Sequence, residues 1–198
     1  MIANPEIKHL PSMLGKRMQL GIVVSDMDAT LKYWTEVMGV GPFVAFDTSV
    51  GDRLFYHRGK RSAVEFRIAF AYLGDIQVEV IQPITTAPSI YNEFLDSGRQ
   101  GLQHIAFWPE DFEKACKDLE RSGFKEVSSM SLKDGTKNVA YFDTPSPVGI
   151  MVEIVPWTAD RAKYFGGIKA LSDNWDGSRP IRRYPTRAEF LASDDCKA

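Results

Sequence analysis

Four polar side chains interrupt strand-like apolar runs in this chain: Gln19 in "MQLGIVV", Glu79 in "IQVEVIQP", His104 in "GLQHIAFW" and Glu153 in "IMVEIVPW". Alternate side chains of a strand point to opposite faces. One face of each run is then apolar: Leu20, Ile22 and Val24; Ile76, Val78 and Val80; Ile105 and Phe107; Ile150, Val152 and Ile154. The other face carries the polar residue. A carboxylate buried without a partner raises its pKa and neutralises, whereas a bound divalent cation supplies the missing positive charge. Two carboxylates, an amide oxygen and an imidazole nitrogen suit a borderline-to-hard ion such as Zn, Co, Ni, Mn or Mg. Gly21 and Ala106, two residues on from Gln19 and His104, leave room there for a substrate. Taken singly, a strand histidine is commonly a satisfied core group, and a strand glutamate commonly faces water. Four such residues at corresponding places of a repeat favour the ion.

The repeat is in the pattern of elements. "MQLGIVV" reads as a strand and "SDMDATLKYWTEVMG" as a helix capped by Ser25 or Asp26, with Met27, Leu31, Trp34 and Met38 on its apolar stripe. Strands at 41–47, 62–74 and 75–83 follow, with "SVGDR" and "HRGKR" as polar loops. After a connector with a short helix over 89–96, the same order returns. "GLQHIAFW" is a strand, a helix begins at Pro109–Asp111 and buries Phe112, Cys116 and Leu119, and three strands follow, two of them joined by a turn at "KDGT". Gln19 pairs with His104, Gly21 with Ala106, Asp26 with Asp111 and Leu31 with Cys116, all 85 residues apart. The expected organisation is α+β: a lead-in (1–17), a first βαβββ module (18–83), a connector (84–100), a second module (101–157) and an extension (158–198).

Bulk composition narrows the partners. The 198 residues are 44% hydrophobic with a formal charge of −2, which supports a real core and leaves no electrostatic footprint for nucleic acid. Nothing reads as a membrane span or an export signal, and Cys116 and Cys196 make a poor disulfide framework, so a reducing cytoplasm is expected.

At these residues the sequence resembles the vicinal oxygen chelate superfamily, the group of glyoxalase I, methylmalonyl-CoA epimerase, extradiol dioxygenases and bleomycin-resistance proteins. The likeness runs through "QLGIVVSDMDATLKYWTEVMGVGPF", "VEVIQP", "GLQHIAF" and "YFDTPSPVGIMVEIV", about residues 17–157. It implies two modules forming a curled mixed sheet around a metal cleft, with Gln19, Glu79, His104 and Glu153 at the four ligand positions. Many members have His at the first position; Gln occurs in some glyoxalase I enzymes. The implied chemistry is an isomerase, epimerase or lyase reaction that abstracts a proton next to a carbonyl of a small metabolite through a metal-bound enolate. Glu153 is the expected base and Glu79 the second choice, with Gln19 and His104 as ligands only; His104 should donate its other ring N–H to an acceptor. The resemblance also implies a homodimer. One alternative is a non-catalytic binding or resistance protein; another is a ring-cleaving dioxygenase, disfavoured because one ligand position of four is His.

Two further groups invite a role. His57 with Arg58 and Arg61 offers a pocket for an anionic substrate, and Phe43, Phe46, Tyr56, Phe66, Trp108 and Tyr141 offer aromatic lining or core. The extension holds Trp157, Tyr164, Phe165, Trp175 and Tyr184 and is too apolar for disorder. It is expected to pack across the cleft mouth or onto a second subunit. His9 is expected to be structural or solvated.

Overall fold

The structure, a computed structural model, describes residues 14–15 and 18–197, with Met18 described in its backbone only. The lead-in and His9 therefore lie outside the described residues, apart from Leu14 and Gly15. The first half runs β1 (Met18–Val23), α1 (Met27–Glu36), β2 (Phe43–Phe46), β3 (Leu54–His57), β4 (Lys60–Ser62), β5 (Phe66–Leu73) and β6 (Ile76–Pro83). A connecting helix α2 (Ile90–Asp96) leads to β7 (Gly101–Phe107), α3 (Phe112–Arg121), β8 (Lys125–Ser131), β9 (Lys137–Asp143) and β10 (Met151–Ile154). The extension adds α4 (Ala159–Asp173), β11 (Ile181–Arg183), α5 (Arg187–Ala192) and a 3-10 turn at Asp194–Cys196. Among the described residues no helix is long and apolar enough to cross a membrane.

The strands form one open, curled mixed sheet in the order β11-β2-β5-β6-β1-β7-β10-β9-β8-β3-β4. Each half contributes four strands in the same relative order, and the halves meet where β1 runs antiparallel to β7. The duplicated chemistry of the helix ends accounts for the duplicated turns. Asp26 accepts from the Ala29 N–H and Asp111 from the Lys114 N–H, each satisfying a donor that a first helical turn leaves open. Gly39 (φ 66°) and Gly123 (φ 87°) take the left-handed conformation that turns the chain back toward the sheet.

Alternation sorts the side chains as their spacing requires. Ile22, Val24, Val78 and Val80 pack under α1 with Met27 and Leu31, and Ile105, Phe107, Val152 and Ile154 pack under α3 with Cys116 and Leu119. The concave face holds the third and largest cluster.

One element differs from the sequence expectation. The segment from Leu54 to Ser62, expected as polar loop, forms the hairpin β3–β4, and β3 pairs with β8 of the other half. Phe55 is the reason: it is fully buried and its ring lies 6.2 Å from that of Tyr91, so the hairpin has an apolar anchor despite its Arg- and Lys-rich turn.

Candidate active site

Two cross-strand rows on the concave face build the site. In the first, Gly21 lies between Glu79 of β6 and His104 of β7. In the second, Ala106 lies between Gln19 of β1 and Glu153 of β10. Adjacent strands stand about 4.8 Å apart, so a small residue flanked by two long polar ones lets the outer side chains lean together over it. Gly21 shows this directly: a Cβ there would sit 1.9 Å from His104 Nε2. The space at Gly21, expected to receive substrate, is filled by the His104 ring.

The resulting group is buried: His104 is 0% exposed, Gln19 2%, Glu153 4% and Glu79 5%. His104 Nε2 lies 3.2 Å from Glu79 Oε2 and 3.1 Å from Glu153 Oε2. Only the Glu79 contact has hydrogen-bond alignment, and Glu153 Oε2 is left buried without a donor.

Gln103 sets the state of the imidazole. Its Nε2 donates to the Ile90 carbonyl at 2.9 Å, which turns its Oε1 toward His104 Nδ1 at 2.8 Å. Nδ1 is therefore the donor, the acceptor expected for the second ring N–H is Gln103, and in the neutral ring Nε2 presents a bare lone pair to two carboxylates. Something positive must stand there. Burial opposes charging the ring, but the Glu153 and Glu79 carboxylates outweigh it and raise the pKa of His104 to about 9. Glu79 is itself pushed up, by burial first and then by the neighbouring Glu153.

A divalent cation fits this donor set. The ligand atoms of Glu79, His104 and Glu153 all lie within 4.8 Å of one another. Two ligands at right angles on an ion with bonds of about 2.1 Å are about 3 Å apart, close to the two separations from Nε2. The ion would also serve the orphaned Glu153 oxygen. Gln19 lines the same cleft, and its Nε2 donates to Gln77 Oε1 at 2.5 Å while Gln77 Nε2 donates to the Tyr72 hydroxyl. That relay commits the nitrogen of the Gln19 amide and leaves its oxygen as the group available to a cation.

The cleft above this floor has a volume of about 350 Å³, near the lower end of the range for small-molecule sites. Tyr141 borders it and packs edge-on against His104, ring centroids 5.4 Å apart, with its hydroxyl 2.9 Å from that of Tyr91. Burial and the charge of Glu153 push both phenols well up, so both stay protonated. The extension roofs the cleft. Phe165 of α4 stacks on Trp108 at 5.0 Å, and Tyr164 packs edge-on against Phe70 at 5.9 Å.

Some residues expected near the site lie elsewhere. His57 and Arg58 both bind Glu93, at 2.9 Å from His57 Nε2 and in a two-pronged pair with Arg58, and Arg61 is exposed. None of the three lines the cleft. Of the aromatic candidates Phe66, Trp108 and Tyr141 border it, whereas Phe43 and Phe46 are core and Tyr56 is half-buried. Gln103 and Gln77 carried no expectation of a role as partners of the ligands, and neither stands out in the sequence. Gln103 would face away by simple alternation. It reaches His104 because of a bulge: Gly21 pairs with His104 and Ile22 with Leu102, leaving residue 103 as the extra one.

Comparison with known proteins agrees with this architecture. Residues 18–142 match the family model described as the Glyoxalase/Bleomycin resistance protein/Dioxygenase superfamily. The uncharacterized protein YqjC of Bacillus subtilis is 22% identical over 143 residues, which span 72% of this chain and 92% of YqjC. Among solved structures, a hypothetical protein of Bacillus halodurans superposes with a TM-score of 0.55 at 18% identity, covering 72% of this chain and 94% of its own. A methylmalonyl-CoA epimerase from Mycobacterium tuberculosis superposes with a TM-score of 0.53 at 17% identity, covering 75% and 93%.

Proposed function

Because the chain belongs to the Glyoxalase/Bleomycin resistance protein/Dioxygenase superfamily, we propose that it is a metal-dependent isomerase, epimerase or lyase that removes a proton from the carbon next to a carbonyl of a small metabolite. The observation that carries this reading is the buried Glu79–His104–Glu153 group, in which Glu153 Oε2 has no hydrogen-bond donor. Glu79, His104, Glu153 and the Gln19 amide oxygen would hold a divalent ion. When bound, that ion acts as a Lewis acid on the carbonyl oxygen and lowers the barrier to proton loss at the adjacent carbon.

The chain's own residues supply the rest. Glu153 is assigned as the base that takes the carbon-bound proton and returns it, with Glu79 as the second candidate. Tyr141 remains a neutral donor at the cleft wall. Trp108 and Phe165 form an apolar stack over the cleft and keep bulk water from the floor.

Elemental analysis of protein purified without chelator, combined with NMR in D2O, tests the reading. Wild type should hold a stoichiometric divalent ion and exchange the α-proton of one or more members of a panel of 2-oxo and 2-hydroxy acids and thioesters. His104→Ala should lose the ion, and Glu153→Gln should lose exchange. A folded wild type that takes up no divalent ion would overturn the proposal.

A further inference from the structure

We propose that the substrate carries an anionic oxygen group, a carboxylate or a phosphate, gripped in the cleft by Arg53, Arg161 and Arg187. This deepens the functional reading above and rests on it for the word substrate, but the anion site stands on its own observations. Arg53 comes from the loop before β3, Arg161 from the first turn of α4 and Arg187 from the start of α5, and all three line the same cleft as Glu79 and Glu153. The extension therefore supplies two of the three cations.

None of the three is in an ion pair among the described residues. Arg53 donates from Nε to the Val50 carbonyl at 3.2 Å and from Nη2 to the Ser49 carbonyl. Arg161 donates to the carbonyls of Pro156 at 2.8 Å and Asn138 at 3.1 Å. These bonds orient both guanidinium groups, use only part of their N–H donors, and neutralise no charge. Arg187 stands over the Tyr164 ring at 5.5 Å. Burial first, and the neighbouring Arg187 second, pull the pKa of Arg53 and Arg161 down to about 10, so the three cations sit close enough to repel one another. Asp160, exposed in the cleft lining, pairs with none of them.

A second, independent observation points to a ligand. Ser49 Oγ, Trp108 Nε1 and the Tyr164 hydroxyl are buried, have no hydrogen-bond partner and line this same cleft. Buried donors without acceptors are costly. Three of them beside three uncompensated guanidinium groups make a wall rich in donors and poor in acceptors. An oxyanion satisfies both deficits at once, and arginine forks bind carboxylate and phosphate through paired hydrogen bonds. With the acidic floor available to a cation, the cleft is polarised: carbonyl oxygen toward the floor, anionic end toward the arginines. Its volume of about 350 Å³ suits a small acid of this kind.

Calorimetric titration of the full chain with inorganic phosphate and with malonate, against chloride as control, tests the inference before and after removal of divalent ions. Saturable binding of one of the two oxyanions is expected in both states, at least tenfold weaker in Arg161→Met and Arg53→Met, with metal content unchanged. Arg187→Met, at an exposed position, gives the same readout if the buried variants fail to fold. Preference for malonate assigns a carboxylate, and preference for phosphate a phosphate ester. Absence of oxyanion binding, binding indifferent to the arginine variants, or binding that exists only with the metal present would overturn the inference. Loss of the metal reading with arginine-dependent binding intact would overturn the proposed reaction alone.

Discussion

The imidazole of His104 stands where a side chain at Gly21 would have to be, with Nε2 1.9 Å from the position of that missing Cβ. The two residues are also cross-strand partners at the junction of the two halves. Gly21→Ala must displace the ring, because the colliding atoms belong to a rigid imidazole in a fully buried site. The expected cost is about 1–3 kcal/mol of stability, read by denaturant titration. Divalent-ion uptake should fall as well. Unchanged uptake in the alanine variant would show that His104 need not keep this rotamer to bind.

Gln103 positions that same ring through Nδ1. Gln103→Leu preserves bulk and removes the acceptor, so the tautomer with a free Nε2 lone pair is no longer favoured. Loss of such a partner weakens metal affinity by about 10–100-fold. Competition titration against a chelating dye reads this directly, and Gln103→Glu, which restores an acceptor, should recover part of the loss. Equal affinity in the leucine variant would remove Gln103 from the account.

Glu93 ties the β3–β4 hairpin to α2. The Arg58 guanidinium first, and His57 second, hold its carboxyl down, from the ordinary 4.5 to about 2, against the opposing effect of burial. A depressed carboxyl contributes stability that is complete above 4.5 and disappears as the pH falls toward 2. Its side chain is 47% exposed, so solvent screening limits the pair to about 1 kcal/mol. The stability difference between wild type and Glu93→Gln should therefore be flat above pH 5 or so and close between pH 4.5 and 2, as followed by urea midpoints across that window. A difference that does not shrink there would count against the pairing.

The roof should behave as part of the fold. Phe165 is 7% exposed and stacked on Trp108, and Phe165→Ala is expected to cost about 3–5 kcal/mol. Asp195 binds Arg179, Arg182 and Tyr184, closing the extension on itself, while β11 joins the sheet beside β2. Limited proteolysis should accordingly spare residues 158–185. Rapid trimming back to about Pro156 would show that the roof is not held.

The ligand positions were legible in the sequence because a strand's side-chain period is local. Knowing only that residues 76–83 and 101–107 are extended is enough to set Glu79 and His104 against their apolar neighbours, and the 85-residue repeat then places Gln19 and Glu153 in the matching rows. Helix capping by Asp26 and Asp111 was local in the same sense. Tertiary structure decided what no local rule contains. The bulge that re-aims Gln103 is a property of pairing between β1 and β7, invisible in either strand alone. The hairpin read as loop at 54–62 is a strand pair because β8, about 70 residues later, offers it an edge. Arg53, Arg161 and Arg187 look like ordinary surface charges along the chain, and they converge only when the extension folds back over the concave face. Periodicity is written within a few residues, whereas the company a side chain keeps depends on loop closures that bring distant segments together.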